Sequence, residues 1–187
     1  MMKKTALALL TGALFTLTGT QAVAATYEVD SERSQLQFFY KQMGVTMKGD
    51  FTGLQGVIEF DESAPEQMSA HIELPLDSVD TGNDEANEEL EKSTWFDIAA
   101  HPTASFVSSQ VSPAAEDEYT VDGTLLIKGE RQELSIPVTV TRNDEGGLVF
   151  ETEFEIDRGT FAIGSGSWSD PSIVANEVKI KAVIVGK

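Results

Sequence analysis

The stretch Leu148–Asp157, which reads LVFETEFEID, decides the fold class of this chain. Leu148, Phe150, Phe154 and Ile156 occupy alternate positions, and the positions between them are mostly acidic. Because successive side chains of a β-strand point to opposite faces, this period of two gathers the apolar residues on one face. The stretch therefore predicts a half-buried strand with one apolar face and one charged face.

The same period recurs along most of the chain. The predicted strands cover residues 36–40, 56–60, 70–74, 105–111, 119–128, 134–140, 148–156 and 178–184. Connections at 128–130 and 143–147 carry the Gly, Asn and Asp residues typical of hairpin turns. Pro137 falls on a polar position of its strand and favours an edge or a bulge there. The pattern predicts an all-β, antiparallel chain of about eight strands.

One segment, residues 83–95, breaks the alternation and predicts a helix. It begins with Asn and Asp, which cap helix starts, and it lacks Pro and Gly. Ala86 and Leu90 fall on one side of this helix. Its acidic side is interpreted as a solvated face, formed by Glu85, Glu88, Glu89 and Glu91. Since Trp95 and Phe96 follow at once, the helix is expected to cover one end of a barrel.

An antiparallel sheet of this size has two edges, and closure into an up-and-down barrel removes them. Gly44, Gly49, Gly53 and Gly56 indicate bends and bulges where the early strands curl. The alternation alone supports a barrel less firmly than the all-β class, since a sandwich shares the pattern. An eight-stranded barrel either fills its interior with side chains or holds one small ligand.

The first 24 residues have the layout of a secretory signal peptide. Lys3 and Lys4 precede an apolar run that is too short to span a bilayer, and small residues follow it. Cleavage is expected before Ala25, with cleavage before Thr26 as the alternative. The remaining residues, 25–187, suit one domain with a real core. The expected location is the periplasm.

Charge and composition exclude several functions. The chain has 31 acidic against 13 basic residues and a formal net charge of −18, which disfavours nucleic acid and anionic surfaces. It contains no Cys, so disulfides and thiol catalysis are excluded. His71 lies on the polar face of its strand and His101 directly before Pro102, at the approach to the next strand. Their spacing predicts no metal site.

No residues are arranged like a catalytic centre. The sequence nearest to a nucleophile motif is GSGS at residues 164–167, which lacks the strand-to-helix setting of a nucleophile elbow. It is interpreted as a flexible loop. The prediction is therefore a protein that is not an enzyme and needs no cofactor.

Several blocks along the chain resemble the YceI-like family in their order and spacing. They are YEVD at 27–30, SQLQF at 34–38, KGDF at 48–51, VDTG at 79–82, WFD at 95–97 with HP at 101–102, VDGTL at 121–125, and IDR at 156–158 with FAIG at 161–164. The resemblance covers roughly residues 27–185. It implies a lipocalin-like barrel, a periplasmic or secreted location, and an elongated apolar pocket for polyisoprenoid chains, such as isoprenoid quinones, polyprenols or polyprenyl phosphates.

Alternation within the predicted strands gives the candidates for the wall of the pocket that the family resemblance implies. The inward positions are Phe38, Tyr40, Ile58, Phe60, Ile72, Leu74, Phe106, Leu125, Ile127, Phe150, Phe154 and Ile156, with Trp95, Phe96, Phe161 and Trp168 nearer the mouth. Each of them is equally suited to a filled core. A ligand-free barrel that acts in protein interaction or stress response is therefore the alternative function.

One departure from the family bears on the head group of the lipid. After VDTG, where the family often has a basic residue and a His, this chain reads NDEANEEL at 83–90. Its acids would repel a phosphate, so a neutral quinone or prenyl alcohol is expected unless Arg158, Lys128 or Arg131 supplies positive charge. The expected partners are the lipid and, transiently, a membrane protein that supplies or receives it. The protein is expected to be a monomer or a dimer.

Overall fold

The structure is a computed structural model that describes residues 24–187. The predicted signal peptide, except for Ala24, lies outside the described residues. The described part contains ten strands and one α-helix: β1 Ala25–Glu28, β2 Gln35–Gln42, β3 Val45–Phe51, β4 Gln55–Phe60, β5 Ser69–Pro75, α1 Asp84–Glu91, β6 Thr103–Ala115, β7 Glu118–Ile127, β8 Glu130–Arg142, β9 Leu148–Asp157 and β10 Glu177–Gly186. Short 3-10 helices lie at Pro65–Gln67, Leu76–Ser78, Arg158–Phe161 and Gly166–Trp168.

The ten strands make up eight spans of an antiparallel barrel. β1 pairs with β4 and β2 pairs with β3, so these four strands form one long hairpin that is interrupted at residues 29–34 and 52–54. From β4 onwards each strand pairs with the next along the chain as far as β10. The predicted barrel is thus confirmed, with two of its spans divided in the middle.

β10 closes the ring. On one side it pairs with β9 along its whole length, and on the other it pairs with β2 from Lys179 to Val183. Beyond that point Val29 bridges Gly186, and the Glu28 N–H donates to the Lys187 carbonyl at 3.1 Å. The N-terminal and C-terminal ends of the domain are therefore held side by side.

The sequence pattern misses β1 and β3. β1 has only four residues, and β3 contains Gly49, which suggested a bend instead of a strand. In the structure Gly49 lies opposite Phe38, and a Cβ at Gly49 would come within 2.3 Å of the Phe38 ring. The glycine therefore makes room for the ring. Gly44 does form a turn, at a positive φ of 80° next to Met43.

α1 is shorter than predicted. The side chain of Asn83 accepts a hydrogen bond from the Ala86 N–H at 2.8 Å, which confirms the expected N-terminal cap. The helix ends at Glu91, because Lys92 adopts an extended conformation and the chain then turns back on itself. The Phe96 N–H donates to the Leu90 carbonyl at 3.0 Å, which folds the aromatic pair under the helix.

β8 and β9 pair over only four residues each. The pairing joins Thr139–Arg142 to Leu148–Glu151 and stops two residues before it would reach Pro137. Pro137 pairs with β7 alone, so the predicted local edge at this proline is confirmed on the side of β9. Past this point the two strands are linked by the Thr152 hydroxyl, which donates to the Pro137 carbonyl at 2.6 Å. The ladder between β8 and β9 is therefore short beside the one that joins β9 and β10 along their whole length.

Two apolar clusters pack inside the barrel. One occupies the end where the ring of Phe60 meets those of Tyr119 and Phe150 edge to face, with centroids 5.5 and 5.7 Å apart. The other lies under α1 around Phe51, Trp95 and Phe161. Within residues 24–187 no helix combines the length and apolar composition needed to cross a bilayer.

Candidate functional site

A cavity of about 510 Å³ runs into the barrel beneath α1. Its volume falls within the range of small-molecule binding sites. The cluster around Phe60 closes the far end, with Leu54, Ile72 and Ile136 as the floor. Most of the wall is aliphatic or aromatic, and the polar side chains concentrate at the α1 end. The site is thus an apolar tube with one polar mouth.

Most of the predicted wall residues line this cavity. They are Phe38, Tyr40, Ile72, Leu74, Trp95, Phe96, Phe106, Leu125, Ile127, Phe154, Ile156 and Trp168. Alternation locates the strand residues among them because each strand turns one face inward, whereas Trp95, Phe96 and Trp168 lie outside the strands. Whether they touch a ligand stays a prediction.

Four predicted wall residues do not line the cavity. Ile58, Phe60 and Phe150 face inward as expected, but they belong to the cluster that fills the far end of the barrel. Phe161 is 1% exposed and packs in the other cluster, behind the wall. Alternation identifies the inner face of a strand, whereas the depth at which packing gives way to a cavity depends on the three-dimensional arrangement.

Other lining residues were not among the candidates. Leu36, Val178, Ile180, Ala182 and Ile184 lie on the alternate apolar positions of their predicted strands and line the cavity, although they were not among the predicted wall residues. Glu85 and Glu89 also line the mouth. Glu85 is exposed as predicted, whereas Glu89 is half-buried against Trp168, so the solvated face predicted for α1 is wrong at Glu89. No periodic signal marked them, because their place depends on how α1 lies across the barrel.

His71 and His101 lie away from this site. His71 is exposed and pairs with Glu73 at 3.5 Å, as expected for a solvated strand residue. His101 lies two residues before β6, at the approach to this strand, as predicted. Among the described residues no group of three or more His, Asp or Glu side chains is arranged to hold a metal ion.

Glu89 ties α1 to the loop on the other side of the mouth. Its carboxylate accepts a hydrogen bond from the Trp168 Nε1 at 3.0 Å and pairs with Lys92 at 2.5 Å. The ring of Trp168 in turn packs on Trp95 with centroids 5.5 Å apart. Lys92 foremost, and then the indole N–H groups, hold the pKa of Glu89 below that of an ordinary glutamate.

We expect tryptophan fluorescence to report the protonation of Glu89. The chain has two Trp residues, and both lie beside this carboxylate. Because the pKa of Glu89 is lowered, its contribution to stability is present at neutral pH and is lost as the pH falls through that pKa. Acid titration should show a fluorescence transition below the usual glutamate range, with circular dichroism confirming that the barrel stays folded.

Glu89→Gln should remove this transition, because the amide does not titrate. Glu88→Gln is the matched control, since Glu88 is a neighbouring exposed residue of the same helix. An unchanged transition in the Glu89→Gln variant would show that the link between α1 and Trp168 does not depend on the carboxylate.

Trp95 offers an unused hydrogen-bond donor at the mouth. Its Nε1 is buried and has no partner of good geometry among the described residues. The Glu89 carboxylate is near enough for this N–H to help lower its pKa, but the contact falls short of a proper hydrogen bond. A buried donor without a full partner is costly, so an acceptor oxygen that reached Trp95 would be stabilised.

Arg158 borders the cavity but has no donor to spare. Its side chain, in a residue that is only 3% exposed, donates five hydrogen bonds to backbone carbonyls. The acceptors are Ala175 for Nε at 3.1 Å, Ile163 and Gly164 for Nη1 at 2.7 and 3.0 Å, and Trp168 and Val174 for Nη2 at 2.8 and 2.6 Å. A guanidinium has five N–H groups, so all of them are used. Burial lowers the pKa of Arg158.

The other two candidate cations are also unsuited to a ligand in the cavity. The Lys128 Nζ donates to the carbonyls of Ser93 and Ala162 at 2.7 and 2.8 Å, and burial lowers its pKa. Arg131 is exposed on β8, and neither residue lines the cavity. The mouth therefore presents carboxylates, indole groups and the neutral polar side chains of Gln42, Thr81 and Asn83, with no cation free to bind an anion among the lining residues.

An antiparallel β-barrel with an apolar cavity open at one end belongs to the lipocalin-like class of binding barrels. The comparisons with known proteins are more specific. Residues 27–186 match the family model of the YceI-like domain. The chain therefore belongs to the YceI-like family, as the sequence blocks predicted.

Several proteins are similar over most of their length. A UPF0312 protein of Yersinia enterocolitica is 32% identical over 75% of this chain and 74% of its own, and one of Pseudomonas aeruginosa is 33% identical over 75% and 72%. The crystal structure of Burkholderia cenocepacia BcnA superposes with a TM-score of 0.81 at 36% identity, covering 85% of this chain and 99% of BcnA. A polyisoprenoid binding domain from Saccharophagus degradans superposes with a TM-score of 0.70 at 18% identity, covering 89% of this chain and 99% of that domain. At this low identity the superposition shows a shared fold alone.

Proposed function

We propose that this protein binds and carries a long-chain isoprenoid lipid in the periplasm, without catalysing a reaction. The observation that carries the proposal is the apolar cavity beneath α1, whose wall combines aliphatic strand residues with an aromatic mouth. The polyisoprenoid binding domain of Saccharophagus degradans, which shares the fold, supports this class of ligand. The signal-like layout of residues 1–24 supports export.

The cavity suits a methyl-branched hydrocarbon chain. Burial of apolar surface contributes about 25 cal/mol per Å², so a dry tube holds such a chain through shape and length alone. The lining residues provide no nucleophile paired with a base and no histidine, which supports a role in binding. An exchange of lipid with a membrane protein fits this role, and both this contact and the oligomeric state stay predictions.

The head group is proposed to be neutral and to contain an oxygen that accepts a hydrogen bond. Glu85 and Glu89 at the mouth repel an anion, and Arg158 has already spent its five donors. The N–H of Trp95, which has no full partner, and the side-chain amides of Gln42 and Asn83 on the cavity wall are the donors proposed for such an oxygen. A quinone carbonyl and a prenyl hydroxyl both meet this description.

We expect a polyprenol to bind at least about tenfold more tightly than the polyprenyl phosphate of the same chain length, because the phosphate must be buried beside two carboxylates with no free cation. Displacement of an apolar fluorescent probe measures both affinities in the same buffer. Raised salt should narrow the difference, since it screens the repulsion.

The double variant Glu85→Gln with Glu89→Gln should also narrow the difference in affinity between the polyprenol and the polyprenyl phosphate. The double variant Glu88→Gln with Glu91→Gln changes the same helix away from the cavity wall and should leave this difference unchanged. Clearly tighter binding of the phosphate would contradict the neutral head group. Failure of both lipids to displace the probe would favour the alternative of a ligand-free barrel.

A further inference from the structure

The hairpin between β2 and β3 exposes large apolar side chains next to the mouth. Met43 is 72% exposed at the turn, Val45 is 61% exposed and Met47 is 40% exposed. We call these three residues the hairpin tip. Isolated apolar residues on a surface are ordinary, whereas three within five positions of one projecting turn form a patch.

The apolar wall of the cavity continues onto this tip. Met47 pairs with Tyr40 and Val45 pairs with Gln42, and directly paired residues of antiparallel strands share a face. Tyr40 and Gln42 line the cavity, so Val45 and Met47 extend the same inner face beyond the end of the barrel. An isoprenoid chain that entered or left the cavity at this side would contact the apolar side chains of the hairpin.

The hairpin also differs in charge from the protein as a whole. Residues 33–49 contain no Asp or Glu, although the chain carries 31 of them. Lys41 and Lys48 are exposed on the two strands of the hairpin. At physiological ionic strength salt screens the interaction between exposed charges that lie more than roughly 8 Å apart. The negative charge on the body of the protein therefore has little effect on a surface that the projecting tip approaches. The tip can approach a surface that repels the rest of the molecule.

We propose that the hairpin tip docks on a phospholipid bilayer, with Met43 and Val45 inserted among the lipids and Lys41 and Lys48 facing the head groups. The mouth of the cavity then lies at the membrane surface, and repulsion of the acidic body sets this orientation. The proposal extends the proposed function, since it states where the cargo enters, but docking does not require any cargo and is testable without it.

Flotation of the purified protein with phospholipid vesicles that contain no isoprenoid lipid tests the docking. We expect binding to phosphatidylcholine vesicles, stronger binding when phosphatidylglycerol is added, and a loss of that gain at high salt. Met43→Ser with Val45→Ser should lower the vesicle-bound fraction about tenfold, because the inserted apolar surface is lost. The matched control is Val57→Ser with Val107→Ser, which removes two valines exposed by 41% and 46% on the barrel wall.

Uptake of a short-tailed isoprenoid quinone separates docking from binding. The Met43 and Val45 variant should take up this quinone from vesicles more slowly, while its affinity for quinone added from ethanol should equal that of the wild type.

Equal loss of vesicle binding in both double variants, or no vesicle binding by the wild type, would overturn the docking. A change from dimer to monomer in the tip variant, without a change in vesicle binding, would assign the tip to a second copy of the chain. Failure to bind quinone from ethanol would contradict only the proposed function.

Discussion

Replacement of Arg158 by methionine is expected to lower the free energy of unfolding by about 4 kcal/mol, measured by urea denaturation. The guanidinium holds five carbonyls between Ile163 and Ala175, and the structure buries it almost completely. Methionine fills a similar volume but leaves these carbonyls without a donor. The loop that carries Trp168 should loosen, so the mouth of the cavity should lose order together with stability.

Arg158→Lys and Arg142→Met provide the comparison for this result. Lysine keeps the charge but has three N–H groups instead of five, so an intermediate loss is expected. Arg142 pairs with Glu62 at 2.8 Å where both side chains are more than half exposed, and its loss should cost at most about 1 kcal/mol. A methionine variant of Arg158 as stable as the Arg142 variant would show that the carbonyls find other donors.

Replacement of Leu125 by tryptophan is expected to lower the affinity for a polyprenol at least tenfold, because the larger side chain occupies part of the 510 Å³ cavity. Leu125 lies on β7 with its side chain on the cavity wall, where the partly empty interior can accept extra volume. Stability should therefore change little. Displacement of an apolar fluorescent probe gives the affinity, and thermal unfolding gives the stability.

Thr124→Trp is the matched control for the cavity-filling variant. Thr124 precedes Leu125 on the same strand and points outward, where its hydroxyl donates to Glu133 at 2.7 Å. A tryptophan there adds the same volume outside the barrel and should leave the affinity unchanged. Equal affinities of the two variants would mean that the ligand does not occupy the space beside Leu125.

Alternation predicted the all-β class because strands such as Leu148–Asp157, which pairs with β10 along its whole length, turn one mostly apolar face inward. It could not show the two divided spans. Gly49 lowers the strand signal of β3, and only the position of Phe38 across the hairpin explains why a glycine stands there. Local sequence therefore carried the fold class, while contacts between strands determined the details.

The candidate site was predicted only in part for a related reason. Phe154 and Phe150 lie on the same face of one strand, yet only Phe154 lines the cavity, since depth along the barrel decides which of them meets empty space. Glu89 is a further example. Its pattern on the helix is that of a solvated residue, and the contact with Trp168, seventy-nine positions away, brings it to the mouth.

Native mass spectrometry of the protein tests its central property most directly. The full chain would be expressed in a bacterium, purified without detergent, and measured before and after solvent extraction. We expect a complex of one barrel with one neutral isoprenoid lipid, and the extracted lipid should bind again to the emptied protein. Protein that carries no lipid, and that also fails to take up added polyprenols and quinones, would contradict the account.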